Sequence, residues 1–231
     1  MSKQVFRDAV ARLKAPGAPP LEVTDETGLV VAFLHIASAH RTDLDTWAID
    51  VSVWRNRHRE RFATQFEATP KNARKYLDSL IESNDQAFFM IIDSIGNRLG
   101  HFGFKLTEDD AVAELDNLVR SEAAADNSLT YFVELTLLLI LFNTCGIASC
   151  NVYVLKDNRA AFGLHRLCGF NKDKVVPVRR EETDDVIQLV GDETIDPQLA
   201  VNAFVFLSLA RDRFFDQRAN WVNARAREFS I

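Results

Sequence analysis

The sequence predicts a mixed α/β domain whose central sheet is covered by helices on both faces. Three observations support this fold class: short apolar strands alternate with helical patterns, two candidate β-hairpins are present, and a strand, a turn and a helix follow one another between Asn151 and Phe170. Such an alternation is typical of layered α/β architectures. The 231 residues suffice for one domain with an appendage and are too few for two full domains.

The first part of the chain predicts an arm, a strand and two helices. Residues 1–20 carry a short apolar helical pattern and end in a Pro-rich run that cannot continue it, so we expect an N-terminal arm. Leu29 to Ile36 is a near-continuous apolar run, which predicts a buried strand. Asp45 to Val53 is predicted to be helical, and Thr69 with Pro70 is expected to begin the next helix.

The middle of the chain predicts a hairpin, a strand and a long helix. Phe88 to Asp93 and Leu99 to Leu106 flank a Gly-Asn turn, which is typical of a β-hairpin. Ala111 to Leu118 alternates, with acidic residues on one face of the predicted strand. Leu129 to Cys145 predicts a hydrophobic helix that ends near Gly146.

The stretch from Asn151 to Phe170 is the most informative unit. Its apolar strand residues alternate, Asp157 or Asn158 can cap the following helix, and Gly169 fits the left-handed residue that ends it. One face of this helix is predicted to carry Ala161, Leu164, His165 and Cys168.

The C-terminal part predicts a second hairpin and an added helix. Val175 to Arg179 and Val186 to Val190 flank an acidic turn. From Asp196-Pro197 onward the pattern is interpreted as a strongly apolar helix, so residues 193–231 are expected to form a helical extension. The apolar face of this predicted helix is wide and would leave a large exposed apolar patch if it stayed uncovered. We therefore expect the helix to pack within the chain or to pair in a homodimer.

Composition limits the classes of partner. The formal net charge is −6 without long Lys/Arg runs, so binding of nucleic acid or of an anionic membrane has little support. Cys145, Cys150 and Cys168 lack the spacing of a zinc site, and no metal is expected. The N-terminus lacks the pattern of a signal peptide, and the most apolar run, Leu137 to Phe142, is too short to span a bilayer. We expect a soluble, cytoplasmic protein with small-molecule partners.

The order Asn158, Ala160-Ala161, Leu164-His165 and Gly169-Phe170 resembles the Asn-x-x-Ala…Leu-Tyr…Gly-Phe segment of the GNAT acetyltransferases. The elements from Leu29 to about Val190 can be aligned with the GNAT fold, which implies an acetyltransferase domain over residues 21–192. The stretch from Glu114 to Arg120, together with an early Trp-Arg-Asn element and the Thr-Pro helix start, resembles the branch that acetylates amino groups of nucleotide-linked sugars.

This resemblance implies a direct transfer of acetyl from acetyl-CoA to an amine, without a metal. The acceptor ammonium must lose a proton near neutral pH, so a carboxylate is the natural base. GNAT enzymes often keep that carboxylate on the strand that holds Glu114, and Asp116 is the rival. His165 stands where the family often has a tyrosine, and its imidazole could protonate the leaving thiolate.

The resemblance also implies which residues bind the two substrates. The family cradles the CoA pyrophosphate with a glycine-containing loop at the start of the long helix, whereas the loop from Arg120 to Thr130 has no glycine and carries Glu122 and Asp126. The expected CoA-binding residues are Leu118, Val119, Arg120, Asn127, Ser128, Leu129, Thr130 and Asn158. The expected acceptor-binding residues are Trp54, Arg55, Asn56, Asp116 and Asn117.

The functional hypothesis is therefore an acetyl-CoA-dependent N-acetyltransferase. Its acceptor is expected to be a nucleotide-linked amino sugar in surface-polysaccharide biosynthesis. Two alternatives stay open at this point. One is a peptide or protein N-terminal acetyltransferase, because that GNAT branch shares the early Trp-Arg element. The other is a GNAT-fold binding protein that has lost catalysis, which the glycine-free loop favours.

Overall fold

The computed structural model describes residues 3–124, 128–183, 186–196, 200 and 202–225. The helices are α1 (Lys3–Leu13), α2 (Leu44–Arg57), α3 (Pro70–Glu82), α4 (Leu129–Leu139), α5 (Arg159–Cys168) and α6 (Arg211–Arg225). The strands are β1 (Leu21–Thr24), β2 (Val30–Ile36), β3 (Thr64–Gln65), β4 (Gln86–Ile92), β5 (Arg98–Leu106), β6 (Val112–Arg120), β7 (Ser149–Leu155), β8 (Asn171–Thr183), β9 (Val186–Gly191) and β10 (Ala203–Ala210).

The ten strands form one sheet in the order β1-β2-β4-β5-β6-β7-β10-β8-β9-β3. Within the described residues, β6 and β7 are the one parallel pair, and the other pairings are antiparallel. The mixed sheet and its covering helices confirm the predicted fold class.

The two central strands β6 and β7 pair over only three residues. Their register joins Val112 to Ser149, Ala113 to Cys150 and Glu114 to Asn151. Beyond Glu114, β6 stays paired with β5, and β7 stays paired with β10 over seven residue pairs. The two strands therefore separate and leave a wedge in the middle of the sheet. We refer to this opening as the wedge.

Helices cover both faces of the sheet. On one face α1, α4, α5 and α6 contribute to the larger core, and on the other face α2 and α3 build a smaller core. Successive residues of β4 serve the two cores in turn: Phe89 belongs to the larger one, and Phe88 and Met90 to the smaller one. This alternation is expected of a central strand with both faces buried.

Local signals predicted several elements correctly. Thr69 caps α3 and accepts a hydrogen bond from the Asn72 N–H at 3.2 Å, with Pro70 at the first helical position. Asn158 caps α5 by accepting from the Ala161 N–H at 3.3 Å, and Gly169 ends that helix with φ +107°. The two predicted hairpins are formed by β4 with β5 and by β8 with β9.

The predicted C-terminal helix is wrong for residues 203–210, which form β10 between β7 and β8. The odd-numbered positions from Ala203 to Leu209 are buried and the even-numbered positions between them are partly exposed, which is a period of two. Both faces are largely apolar, and such a run does not distinguish a strand from a helix by periodicity. The helix begins only at Arg211.

The predicted long helix also needs a correction. It is α-helical only to Leu139 and continues as a π-helical turn over Ile140–Thr144. Its apolar residues belong to the larger core. Among the described residues, no helix has both the length and the apolarity needed to cross a membrane.

We expect Gly100→Ala to lower the free energy of unfolding by about 1–3 kcal/mol. Gly100 has φ +147°, and an added Cβ would lie 2.3 Å from the Val119 carbonyl oxygen of β6. The control is Gly163→Ala inside α5, where the added Cβ would meet no other part of the described structure within 4 Å apart from its chain neighbours and its own helix backbone. That change should stabilise the protein by about 0.5–1 kcal/mol, because alanine is the better helix former. Urea denaturation measures both, and equal effects would contradict the assigned β5–β6 packing.

Candidate active site

A cavity of about 630 Å³ opens at the wedge. Its walls come from β5, β6, β7, α2, α3 and α5. A segment of residues 61–68, here called the strap, also lines it. Because the backbones of two neighbouring strands separate here, a ligand can approach main-chain groups as well as side chains. The cavity therefore has the position and size of a small-molecule site.

The strap is held at both ends. Its strand β3 pairs with β9, and the Leu189 N–H donates to the Ala63 carbonyl oxygen at 2.7 Å. At the other end, Asn56 of α2 donates to the Ala68 carbonyl oxygen at 2.8 Å and accepts from the Ala68 N–H at 2.7 Å. Asn56 therefore positions the strap, and it is not among the residues that line the cavity.

Arg55 lies between the strap and the cavity. Its guanidinium donates to the Thr64 carbonyl oxygen at 3.0 Å and lies 4.1 Å from the Phe62 ring centroid and 4.8 Å from that of Phe66. Burial lowers the pKa of Arg55 below its ordinary value, while the nearby Tyr76 hydroxyl and Asp116 carboxylate oppose the shift. The side chain nevertheless stays cationic, because the guanidinium pKa is so high.

Glu114 and Asp116 bring two carboxylates to the β6 wall of the cavity. Lys105, directly opposite Glu114 on β5, has its Nζ 3.0 Å from Glu114 Oε1 and 3.4 Å from Asp116 Oδ2. Burial raises the pKa of Glu114, Lys105 counteracts this, and Asp116 adds to it. Burial lowers the pKa of Lys105, but the two carboxylates raise it by more, so that this pKa lies above its ordinary value. Glu114 is therefore a stronger proton acceptor than an ordinary glutamate.

A bulge follows in β6 at Asn117, which has φ +60°. The Asn117 N–H donates to Asp116 Oδ1 at 2.7 Å, and its carbonyl oxygen lies 2.6 Å from His101 Nδ1. Burial lowers the pKa of His101 to about 3, so the ring is neutral and Nδ1–H donates to that oxygen. Tyr76 hydrogen-bonds the Asn117 side chain, and burial raises the pKa of the Tyr76 hydroxyl. These contacts fix the backbone where β6 turns away from β7.

His165 reaches the cavity from α5. The side chain is only 3% exposed, and its Nδ1 lies 2.8 Å from Glu134 Oε1 of α4. Asn158, at the start of the same helix, also lines the cavity. The cap at Asn158 and the glycine stop at Gly169 fix the length of α5 and therefore the place of His165.

The structure brings seven of the predicted residues to the cavity and leaves others outside it. Those that line it are Arg55, Glu114, Asp116, Asn117, Leu118, Asn158 and His165. Trp54 does not, because its ring is 8% exposed in the smaller core and 6.0 Å from the His101 ring. The Trp54 side chain is therefore unavailable to a substrate, which corrects its predicted acceptor-binding role.

Several predicted CoA-binding residues lie outside the cavity lining. The side chains of Val119 and Leu129 are in the two cores, and Thr130 is buried. Arg120 and Ser128 are exposed, and Asn127 lies outside the described residues. Val119, Leu129 and Thr130 could meet a ligand only through their backbone, so the CoA role of this group stays a prediction.

Several residues of the site were not predicted from the sequence, among them Lys105, Tyr76, Arg61 and Glu134. Lys105 and Tyr76 have no motif around them. Glu134 did carry a signal, because it is the one charged residue of α4. A lone carboxylate in an apolar helix requires a partner, and the partner is 31 residues away in sequence.

We expect the stability of the protein to fall as the pH drops from 6.5 towards 3, by about 1.4 kcal/mol per pH unit from His101 alone. The reason is that the unfolded chain binds a proton at His101 in this range and the folded chain does not. His101→Gln, whose amide can still donate to Asn117, should remove this contribution from the pH profile of unfolding. His40→Gln at an exposed position is the control. Identical slopes for the wild type and His101→Gln would contradict a neutral buried His101.

Comparison with known proteins was informative for structure only. No protein-family model matches the sequence, and no curated protein sequence matches it. Among solved structures, spermidine N-acetyltransferase from Vibrio cholerae in complex with CoA and spermine aligns with a TM-score of 0.60 at 14% identity, covering 79% of this chain and 98% of that one. FdhC, a nucleotide-linked sugar GNAT in the apo state, aligns with a TM-score of 0.60 at 11% identity, covering 87% of this chain and 97% of that one.

Identities this low establish the fold and leave the activity of this chain to be argued from its own site. Both of these structures align with this chain over almost their whole length. The protein therefore has the fold of the GNAT N-acetyltransferases.

Proposed function

We propose that this protein is an acetyl-CoA-dependent N-acetyltransferase whose acceptor is a nucleotide-linked amino sugar, used in surface-polysaccharide biosynthesis. The observation that carries the proposal is the position of Glu114. It lies at the last residue pair before β6 and β7 separate, it lines the cavity, and its pKa is raised by burial. A base for an acceptor ammonium needs this combination of access and elevated proton affinity.

Acetyl-CoA is the co-substrate that the GNAT fold implies, and we infer that it binds in the wedge. Beyond Glu114 the facing edges of β6 and β7 have no strand between them in the described part of the chain, so main-chain groups near Leu118 are available to a thioester and its pantetheine arm. Asn158 at the start of α5 would hold the same arm, close to the positive end of the helix dipole. Acetyl-CoA would supply the acetyl group already activated as a thioester.

The phosphate end has a partial substitute for the missing glycine loop. Glu122, which would repel phosphate, is ion-paired with Arg57 at 2.8 Å. Arg61 lines the cavity mouth and lies 3.5 Å from Asp157, next to Asn158. A side-chain cation from the strap, Arg61, is therefore near the start of α5, where an anion is favoured.

We assign the two proton transfers to residues that line the cavity. Glu114 accepts a proton from the acceptor amine, directly or through water, so that the nitrogen lone pair is free to attack. Lys105 keeps Glu114 in place and limits how far its pKa rises. His165, on the α5 side of the cavity, is the proton donor for the leaving group.

The charge of the cavity favours an acceptor that is anionic as well as an amine. Its lining contains three cations, Arg55, Arg61 and Lys105, against two carboxylates, Glu114 and Asp116. Among the described residues, no carboxylate forms an ion pair with Arg55, whose guanidinium is held by aromatic rings and one carbonyl. A diphosphate would satisfy Arg55, whereas a polyamine would be repelled.

We expect acetyl-CoA at a hundredfold excess over its dissociation constant to stabilise the protein by about 2.7 kcal/mol. The measurement is thermal unfolding at increasing concentrations of acetyl-CoA. Buffer without acetyl-CoA and buffer with adenosine alone are the controls. Glu108→Gln, at an exposed turn away from the cavity, should behave as the wild type. An unchanged melting temperature at millimolar acetyl-CoA would exclude the enzyme and leave a GNAT-fold binding protein.

We expect thiol release from acetyl-CoA with UDP- or dTDP-linked amino sugars, and not with spermidine or with peptides that have a free N-terminus. Glu114→Gln should then lower kcat by about 10²–10⁴-fold, because the general base is lost. Glu108→Gln is again the matched control. Turnover with peptides would support the N-terminal acetyltransferase instead. Full turnover by Glu114→Gln would refute its role as base.

A further inference from the structure

Helix α4 buries one carboxylate in an apolar environment. Glu134 is 0% exposed, and every other residue of α4 is uncharged. Removing a carboxylate from water costs several kcal/mol unless it is paired and hydrogen-bonded. Glu134 therefore needs donors around it, and they come from a different helix.

The donors lie one turn apart on α5. His165 Nδ1 is 2.8 Å from Glu134 Oε1, and the thiol of Cys168 lies beside the same carboxylate. Burial, together with the charge of Glu134, raises the pKa of Cys168 well above its ordinary value, so the thiol keeps its proton. A carboxylate oxygen accepts hydrogen bonds, so this contact calls for a proton on His165 Nδ1.

This contact determines which ring nitrogen can serve the cavity. His165 lines the cavity, and Glu134 does not. Since Nδ1 is occupied by Glu134, Nε2 is the nitrogen left for a group in the wedge. The ring is further held by Phe170, whose centroid is 5.7 Å away at an interplanar angle of 65°. Both the tautomer and the orientation of His165 are thus determined by residues outside the cavity.

We propose that Glu134 is a positioning residue that holds His165 through Nδ1, so that Nε2 faces the sulfur leaving group and is the nitrogen that exchanges a proton with it. The inference rests on the proposed acetyl transfer. In that step the amine nitrogen forms a bond to the thioester carbonyl carbon, and the carbon–sulfur bond breaks with its electron pair on sulfur. Glu114 takes the proton from nitrogen. His165 enters the step with a proton on each ring nitrogen, the Nε2 proton having been taken up from solvent, and gives that proton to the thiolate, which leaves as a thiol. The ring is left with its one proton on Nδ1, where Glu134 accepts it in a hydrogen bond.

Placing this dyad in an apolar core also shields it from water. The carboxylate lies among core residues of α4, so its attraction for a charged imidazole is stronger than it would be at the surface. The position of Glu134 therefore matters for the chemistry even though it never touches the substrate.

The first test needs no substrate. Heteronuclear NMR of the imidazole nitrogens above neutral pH should show the Nδ1–H tautomer for His165 in the wild type. In Glu134→Leu, which fills the site without a hydrogen-bond acceptor, the Nε2–H tautomer should replace it. Thr136→Val removes another buried polar side chain of α4, whose hydroxyl donates to the Phe132 carbonyl oxygen, and should leave the His165 signals unchanged. An Nε2–H tautomer in the wild type would overturn the proposal.

The second test separates positioning from stability. Glu134→Gln keeps the shape of the side chain and should lower kcat about 10–100-fold while both KM values stay unchanged. His165→Gln should lower kcat at least as much, and adding Glu134→Gln to it should have no further effect, because Glu134 acts through His165. Unchanged kcat in Glu134→Gln, or an additive loss in the double variant, would overturn the role.

The two tests also distinguish this inference from the proposed function. If the wild type fails to bind acetyl-CoA, acetyl transfer is refuted whatever the tautomer is. If acetyl-CoA binds and is consumed but His165 is in the Nε2–H form, only the role of Glu134 is refuted. Should Glu134→Leu fail to fold, the Glu134→Gln kinetics and the wild-type tautomer still decide the question.

Discussion

The separation of β6 from β7 after Glu114 is the constraint on which the rest of the structure depends. Opening a sheet exposes main-chain donors and acceptors, and each strand must be held from its other side to tolerate this. β7 is held by seven residue pairs with β10, and β6 is held by β5 and by the bulge at Asn117. A neutral, buried His101 secures that bulge. The wedge is therefore a rigid feature built into the sheet.

The ionisable groups of the site lie on the two sides of this opening. Glu114 and Asp116 at the β6 wall share Lys105, and the α5 wall carries His165 with Glu134 behind it. Each carboxylate has a cationic or hydrogen-bonding partner, so partly buried charge is tolerated on both sides of one cavity. A proton acceptor and a proton donor supplied by different secondary-structure elements are what acyl transfer to an amine needs, and the proposed function rests on this division.

The GNAT fold by itself does not select an acceptor, because one fold hosts many activities. The two structures compared here have equal TM-scores, although one is a spermidine acetyltransferase and the other a nucleotide-linked sugar GNAT. The cations that line the cavity are the observation on which the proposed choice between these substrate classes rests. Arg55, aimed at the cavity and supported by Phe62 and Phe66, carries most of that argument.

The sequence by itself determined the features that depend on neighbouring residues. The Thr69 and Asn158 caps, the Gly169 stop and the two hairpins are local, so their residue types predict them. Tertiary structure decided the rest. Residues 203–210 are apolar on both faces, and only the space between β7 and β8 makes them a strand. The pairing of Glu134 with His165 joins two helices across 31 residues, and no local pattern encodes such a contact, because it exists only once the helices pack.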